Sequence, residues 1–438
     1  MASHEKASLR RAITAPMLML FILGDVLGAG VYALAGTIAG RVGGAIWAPL
    51  LIALCFALLT AASYAELVTK YPRAGGAAVY AEKAFGKPLL SFLVGFSMIA
   101  AGVTSAAGLA VAFAGDYLQA LISVPPQWVC VGFLVIVGLL NARGIKESLG
   151  ANLLMTTIEL SGLAMVIAAA AWFVGQGQGV PQRVFELDTA SPATAILAAS
   201  LLAFYSFVGF ETSANLAEEI KDVRKVYPRA LFGALLIAGA VYVLVGVGAA
   251  MVLPVDQLKD SQAPLLDVVK ASGLGIPSPW FALIALIAVA NGALLTMIMA
   301  SRLTFGMARE GLLPAILGSV LPHRRTPGVA ILVTTLVAIA LSFTSTLTTL
   351  AETVVLLLLF VFLSVNVAVL VLKRDKVEPA HFQVHWVIPV LGILSCLLLL
   401  TQQGPETWLR AGVMLVVGAV LYGLTRLGRP QAVSHISE

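Results

Sequence analysis

Twelve apolar stretches, each long enough to cross the hydrocarbon core of a bilayer, constrain this chain more than any other feature. They run over 13–37, 45–69, 88–115, 124–141, 150–174, 193–213, 230–252, 280–306, 327–344, 348–372, 384–401 and 406–427, here numbered segments 1 to 12. A helix needs about 20 apolar residues to span lipid, where every backbone polar group must find a partner inside the protein. The segments lack the two-residue alternation of barrel strands, so an all-α membrane protein is expected. Only 11% of the 438 residues are charged and 60% are hydrophobic, against roughly 25% charged in a soluble domain. That composition excludes an ordinary soluble enzyme, a disordered chain and a nucleic-acid binder. Segment 1 holds Asp25 and several glycines, lacks a clear small-residue cleavage site, and leads into eleven more segments. It reads as a first span and not as a signal peptide.

The basic residues orient the spans. With the N-terminus inside, Arg41, Arg183, Lys259, Lys270 and Arg410 fall outside, and the other 22 of the 27 Lys and Arg fall inside. This is the positive-inside pattern, and it explains the net charge of +5 without an acidic partner. It puts the tails 1–12 and 428–438 in the cytoplasm of a cell-membrane protein and favours an even number of spans. Cys55, Cys130 and Cys396 lie in or at the edge of apolar segments without metal-ligand spacing, and read as buried free thiols. His4, His323, His381, His385 and His435 lie in loops or tails, so no intramembrane histidine relay is expected.

Two segments carry glycines beside an acid at membrane depth. Segment 1 contains Gly24-Asp25-Val26-Leu27-Gly28-Ala29-Gly30-Val31-Tyr32, and segment 6 contains Phe204-Tyr205-Ser206-Phe207-Val208-Gly209-Phe210-Glu211-Thr212. Taken alone, the glycines of segment 1 also have a reading as close helix packing. Segments 1 and 6 are five apart, so they cross in opposite senses. Paired interruptions at matching places in two halves point to an inverted repeat with a site at the bilayer midplane. No residue-level similarity links the halves, so the repeat rests on topology and the paired breaks. The upper half of segment 1 would begin near Val31, with free N–H groups and a positive dipole end for a carboxylate. The first half of segment 6 would end near Phe207 or Val208, with free carbonyls for an ammonium group. Together these describe an α-amino acid site.

These residues resemble the amino acid–polyamine–organocation (APC) superfamily, the amino acid permeases with a LeuT-like fold, over about residues 12–372. Gly24-x-x-x-Gly28-Ala29-Gly30-Val31-Tyr32 is similar to its first-span signature, with Tyr where Phe is common. Tyr64-Ala65-Glu66-Leu67, Tyr71-Pro72-Arg73-Ala74-Gly75-Gly76 and Tyr80 are similar to its motif between spans 2 and 3. Asn141-Ala142-Arg143-Gly144-Ile145-Lys146 fits the 4–5 loop. Phe207-x-Gly209-Phe210-Glu211, Glu218-Glu219 and Pro228-Arg229 fit span 6 and its exit, with Val223 where a proline is frequent. Ser301-Arg302 and the run from Met307 to Pro314 fit the end of span 8. The resemblance implies twelve helices: a 5+5 inverted repeat (about 13–174 and 193–372, core 13–372), with helices 1 and 6 broken, then two C-terminal helices in 384–427. It implies uptake or exchange of amino acids by alternating access, sodium-independent or proton-coupled. Spans 1, 3, 6, 8 and 10 would surround the site, and a bundle of spans 1, 2, 6 and 7 would rock against the rest. Some proton-coupled members carry a lysine in span 5 in place of a sodium ion; the matching position here holds Glu159.

Asp25, Glu159 and Glu211 lie well inside the segments, with no Lys or Arg at similar depth. A charge at mid-bilayer costs at least ~2.5–3.5 kcal/mol on insertion scales, so such acids usually serve function. A proton or a bound cation is expected on at least one of them during the cycle. Each acid has two readings. Glu211 is an ammonium neighbour or proton carrier, or it caps the lower half-helix. Asp25 binds a proton or coupling cation, or props segment 1 open. Glu159 takes part in coupling, or is a protonated acid bonded to a carbonyl. Substrate contacts are expected from Gly28, Ala29, Gly30, Val31, Tyr32, Phe204, Phe207, Gly209, Phe210 and Glu211, although aromatics at helical spacing, Tyr205 included, more often pack. Glu66, Arg73, Glu218 and Arg302 are candidates for an inner gate, with Glu219, Arg224 and Arg309 nearby, or for a solvated charged face. Asn291, Thr296 and Ser301 offer oxygens to a cation.

The reading is a secondary transporter for a cationic or neutral amino acid, with no cofactor and no metal, coupled to H+ or else to Na+. The alternatives are an amino acid/amine exchanger, a channel, and an integral-membrane enzyme. For the enzyme, the sequence offers no histidine box, Ser/Lys dyad or metal spacing.

Overall fold

The computed structural model describes residues 13–427 except 74, 144–147, 262, 322, 323, 325 and 379. Both tails, Ala74, the 144–146 stretch of the 4–5 motif, His323 and Arg325 therefore lie outside the described residues. Among those described, nine helices are long and apolar enough to cross a membrane, or ten with one bent pair counted as a span. Two shorter apolar helices, Gly328–Ser342 and Val387–Leu400, fall on segments 9 and 11. The protein is a multi-pass helical membrane protein.

Prolines set several helix starts. Pro88, Pro192 and Pro264 occupy first-turn positions, where the missing N–H has no partner to lose. Segments 2, 3 and 5 are the helices Trp47–Lys70, Pro88–Phe113 and Ser148–Gly175. Segments 7, 8 and 10 are Val223–Val252, Ser278–Arg309 and Leu347–Leu372. Segments 4 and 12 are Pro126–Arg143 and Pro405–Leu427.

Segment 1 is two helices, Ala15–Leu27 and Ala29–Val42, bent by 42° where they meet at Gly28. Segment 6 is an α-helix, Pro192–Tyr205, a turn over 206–209, and a 3-10 helix, Phe210–Glu219. Ten residues of 3-10 winding is unusually long for that geometry. The break in segment 6 therefore comes two residues before Phe207, and its lower half is wound more tightly than an α-helix.

The buried apolar side chains form two clusters. Among the described residues, one gathers segments 1, 2, 6, 7 and 10 together with Val94, Met98 and Ala101 of segment 3, Leu163, Val166, Ala169 and Ala170 of segment 5, and residues of segments 8, 11 and 12. The other gathers segments 3, 4, 8 and 9, with Tyr422 of segment 12. Outward faces of segments 4, 9 and 12 present Leu139, Leu332 and Leu409, each more than half exposed and suited to lipid. Cys130 and Cys396 are buried free thiols, but Cys55 is exposed, because it lies on the outer face of Trp47–Lys70. That position corrects the expectation of three buried thiols.

Charged pairs mark both ends of the bundle. At one end Arg41 pairs with Glu352 at 2.7 Å and donates to the Ala198 carbonyl at 3.1 Å, linking the upper halves of segments 1 and 6 to segment 10. At the other end Lys373 pairs with Glu66 at 2.9 Å. There too, Ile13 and Ile220 form a parallel bridge that ties the start of segment 1 to the end of segment 6.

Candidate functional site

Two glycines beside the breaks have no room for a side chain. Gly209 sits at φ +126, a conformation that L residues rarely adopt, and a Cβ there would lie 2.8 Å from the Asp25 carbonyl oxygen. A Cβ on Gly30 would lie 2.7 Å from Cα of Ser206. The two interrupted helices therefore touch backbone to backbone at their breaks. Tyr242 of segment 7 fastens the contact. Its hydroxyl donates to the carbonyls of Val26 at 2.6 Å and Ser206 at 3.1 Å, one freed by each break.

The acids follow from this junction. Thr212 donates its hydroxyl to Asp25 and to the Gly209 carbonyl, the latter at 2.8 Å. The Gly209 N–H donates to the Glu211 carboxylate at 2.9 Å, so Glu211 caps the start of the 3-10 helix. Both acids are buried.

A cavity opens where the breaks meet. Asp25, Gly28 and Gly30 line it from segment 1, and Tyr205, Gly209, Glu211 and Thr212 from segment 6. Gly102 and Ser105 of segment 3, Gly292 and Thr296 of segment 8, and Val354 and Leu358 of segment 10 complete the wall. The Tyr205 and Ser105 hydroxyls bond at 3.1 Å across one side of it. Among the described residues, the lining holds two carboxylates and no basic side chain.

Not every candidate faces this cavity. Val31 is buried in the core beside it. Tyr32 turns away, donates to the main-chain carbonyl of Glu159 at 2.8 Å, and packs on Tyr117 and Phe281. Phe207 packs on Tyr242, while Phe204 and Phe210 pack on Phe362. These four aromatics are core residues of the first apolar cluster. Tyr205, Ser105, Gly102 and Thr212 were not picked out from sequence as site residues. For Tyr205 the break next to it was the available signal; segment 3 offered none.

Glu159 lies behind the junction, fully buried. Its Oε1 accepts from Asn291 at 3.1 Å, and Asn291 also donates to Asn152 at 3.0 Å. Its Oε2 has no hydrogen-bond partner among the described residues. Gly24 makes room for this cluster, since a Cβ there would collide with Thr156 and Asn152. Of the other oxygens considered, Thr296 lines the cavity and Ser301 is engaged by Asn141 at 3.0 Å.

The inner charges pair differently from the expected gate. Glu66 binds Lys373 and also accepts from the Val384 N–H at 2.8 Å, so its partner is the loop after segment 10 and not Arg73, which is exposed. The bend after Lys70 carries Arg73 outward, while Glu66 stays on the buried face of its helix. Glu218 sits at the end of the 3-10 helix, and Arg302 lies within electrostatic reach of Glu219.

The profile of the amino acid permease family matches residues 15–420. The chain belongs to the amino acid permease family. Its relatives place this permease-family chain in the APC superfamily. An uncharacterized transporter of Mycobacterium tuberculosis is 30% identical over 408 residues, covering 92% of this chain and 89% of its own. A branched-chain amino acid permease of Bacillus subtilis is 27% identical over 447 residues, covering 97% and 94%. A low-affinity putrescine importer of Escherichia coli is 29% identical over 314 residues, covering 69% and 68%.

Proposed function

We propose that this chain is a secondary active transporter that carries amino acids across the cytoplasmic membrane by alternating access, coupled to protons. One observation carries the reading: a cavity at the junction of two interrupted helices, with Asp25 and Glu211 on its wall and, among the described residues, no basic side chain. A substrate ammonium group would sit beside those acids. Its carboxylate would face the start of Ala29–Val42, where N–H groups lack intrahelical partners.

The reading extends to the fold. An apolar helix or helix pair falls on each of the twelve segments, which fits twelve spans with both termini cytoplasmic. The paired breaks fit the 5+5 inverted repeat of a LeuT-like core. In this reading a bundle of segments 1, 2, 6 and 7 rocks against the rest, and the cavity, lined by segments 1 and 6 on one side and by segments 3, 8 and 10 on the other, lies where the two would part. Glu159 and Asn291 join segment 5 to segment 8 behind Asp25, a suitable place for a coupling proton. Coupling requires that proton binding differ between the inward and outward states.

The acid-only lining also favours a second reading, an exchanger of an amino acid for an amine, and a putrescine importer stands among the relatives. Reconstituted liposomes decide between the two. Labelled amino acids and putrescine are offered with and without a proton gradient, with and without sodium, and with unlabelled amino acid or amine inside. Saturable uptake driven by an inward proton gradient and indifferent to sodium is expected. Strict dependence on internal amine would establish the exchanger, sodium dependence would replace the proton, and flux without saturation or trans-stimulation would overturn the carrier reading.

A further inference from the structure

A second cavity lies at the end of the bundle that carries Arg41 and Glu352, between segment 12 and segments 3, 9 and 10. Leu341, Leu350 and Met414 make its wall apolar, with Thr353 at its floor and Arg410 and Thr344 at its rim. Arg410 stands in the second turn of segment 12, near the end of that helix and not at its middle. Its guanidinium donates to the hydroxyl of Ser345, which lies within 3.4 Å of the Thr344 hydroxyl. Among the described residues Arg410 has no carboxylate partner. Glu406, four residues earlier and well placed for a helical ion pair, is instead exposed. Phe343, next to Thr344, and Trp408, at the same end of segment 12, are about half exposed, as aromatic side chains at a membrane interface are.

We propose that this crevice is a binding site for an anionic phospholipid. The phosphodiester takes the fork of Arg410 and the hydroxyls of Ser345 and Thr344, and an acyl chain lies along Leu341, Leu350 and Met414. The chemistry is complementary at both levels. A guanidinium that, among the described residues, donates to one hydroxyl and pairs with no carboxylate keeps donors for phosphate oxygens, and the apolar wall beside it suits a hydrocarbon chain. Occupancy would fasten segment 12 to segments 3 and 10, away from the central cavity.

The test is delipidation of the whole protein in detergent, followed by native mass spectrometry and thermal melting. The probes are phosphatidylglycerol, phosphatidylcholine of the same chains, and inorganic phosphate. The wild type is expected to retain phosphatidylglycerol at least fivefold over phosphatidylcholine and to melt several degrees higher with it. Arg410→Gln should lose that preference, and Arg410→Lys should keep part of it. Leu350→Trp, which fills the crevice and leaves the arginine, should also lose phosphatidylglycerol and covers the case in which Arg410→Gln does not fold. Equal retention of the two lipids by the wild type would overturn the proposal. So would a preference unchanged in both Arg410→Gln and Leu350→Trp, or an equal response to inorganic phosphate, which would make this a free-anion site.

Discussion

Gly28, Gly30 and Gly209 look alike in the sequence and differ in what surrounds them. A Cβ at Gly28 would make ordinary contacts, 3.6 Å from the Asp25 carbonyl and 3.7 Å from Gly292. At Gly30 and Gly209 it would meet backbone below 3.0 Å, and Gly209 is also held at positive φ. Gly28→Ala should therefore keep near-normal uptake. Gly30→Ala and Gly209→Ala should cut it at least tenfold and cost about 1–3 kcal/mol of stability, read by liposome uptake and detergent melting curves. Normal transport by Gly209→Ala would sink the junction as the seat of the site. Glu211 makes a second residue-scale contrast. Glu211→Gln still offers an oxygen to the Gly209 N–H, so folding should survive while proton-driven accumulation is lost; facilitated exchange that persists without a pH optimum would separate proton carriage from capping.

At the scale of elements, one hydroxyl bridges the carbonyls freed at the two breaks. Removing it in Tyr242→Phe leaves the carbonyls of Val26 and Ser206 without that donor, at a cost of roughly 1 kcal/mol. The expected outcome is a weaker apparent substrate affinity, by about threefold to tenfold, with maximal rate less affected. Substrate titrations of uptake check it. That both segments are interrupted was legible in the sequence from a glycine beside an acid in each apolar run, but not the exact places: segment 6 breaks after Tyr205 and the second half of segment 1 starts at Ala29. The facing of Tyr32, Phe204, Phe207 and Phe210 was not legible. Helical spacing says which aromatics share a face, but a helix buried on all sides presents no polar face to orient it. Thr212 and Ser105 were hidden for a related reason. Hydroxyls inside apolar helices commonly bond back to their own turn, and only the partner helix shows which one reaches further.

For the whole molecule, ion pairs at opposite ends join segment 10 or its following loop to segments 1 and 2. Lys373→Met should loosen the Glu66 end and Arg41→Gln the Glu352 end. With the three native cysteines replaced, a Thr296→Cys reporter in the cavity should label several-fold faster from the Glu66 side in the first case and from the Glu352 side in the second. The loop that brings Lys373 to Glu66 also carries His381. Burial, with help from Lys70, Arg224 and Lys373, pushes its imidazole below its ordinary value of 6.5, while Glu66 pulls the other way. The folded state thus holds this proton less tightly than the unfolded chain does. Its contribution is present above pH 6.5 and lost as the pH falls toward the lowered value. His381→Gln should flatten the fall of melting temperature below pH 6.5, measured against the wild type.

Span length, the basic-residue asymmetry and the two glycine–acid interruptions are local properties of the chain. Lipid imposes them residue by residue, since a backbone without water must be helical and a break must have a reason. The sequence by itself therefore determined the membrane class and that helices 1 and 6 are the ones interrupted, within a few residues of where they part. Tertiary structure alone decided that Tyr242 joins the freed carbonyls, that Glu159 answers to Asn291, that Glu66 chooses Lys373 over Arg73, and that Tyr205 faces the cavity. Each of these depends on how helices are rotated and set against one another, and in an all-apolar bundle that rotation is settled by close packing between elements distant in sequence.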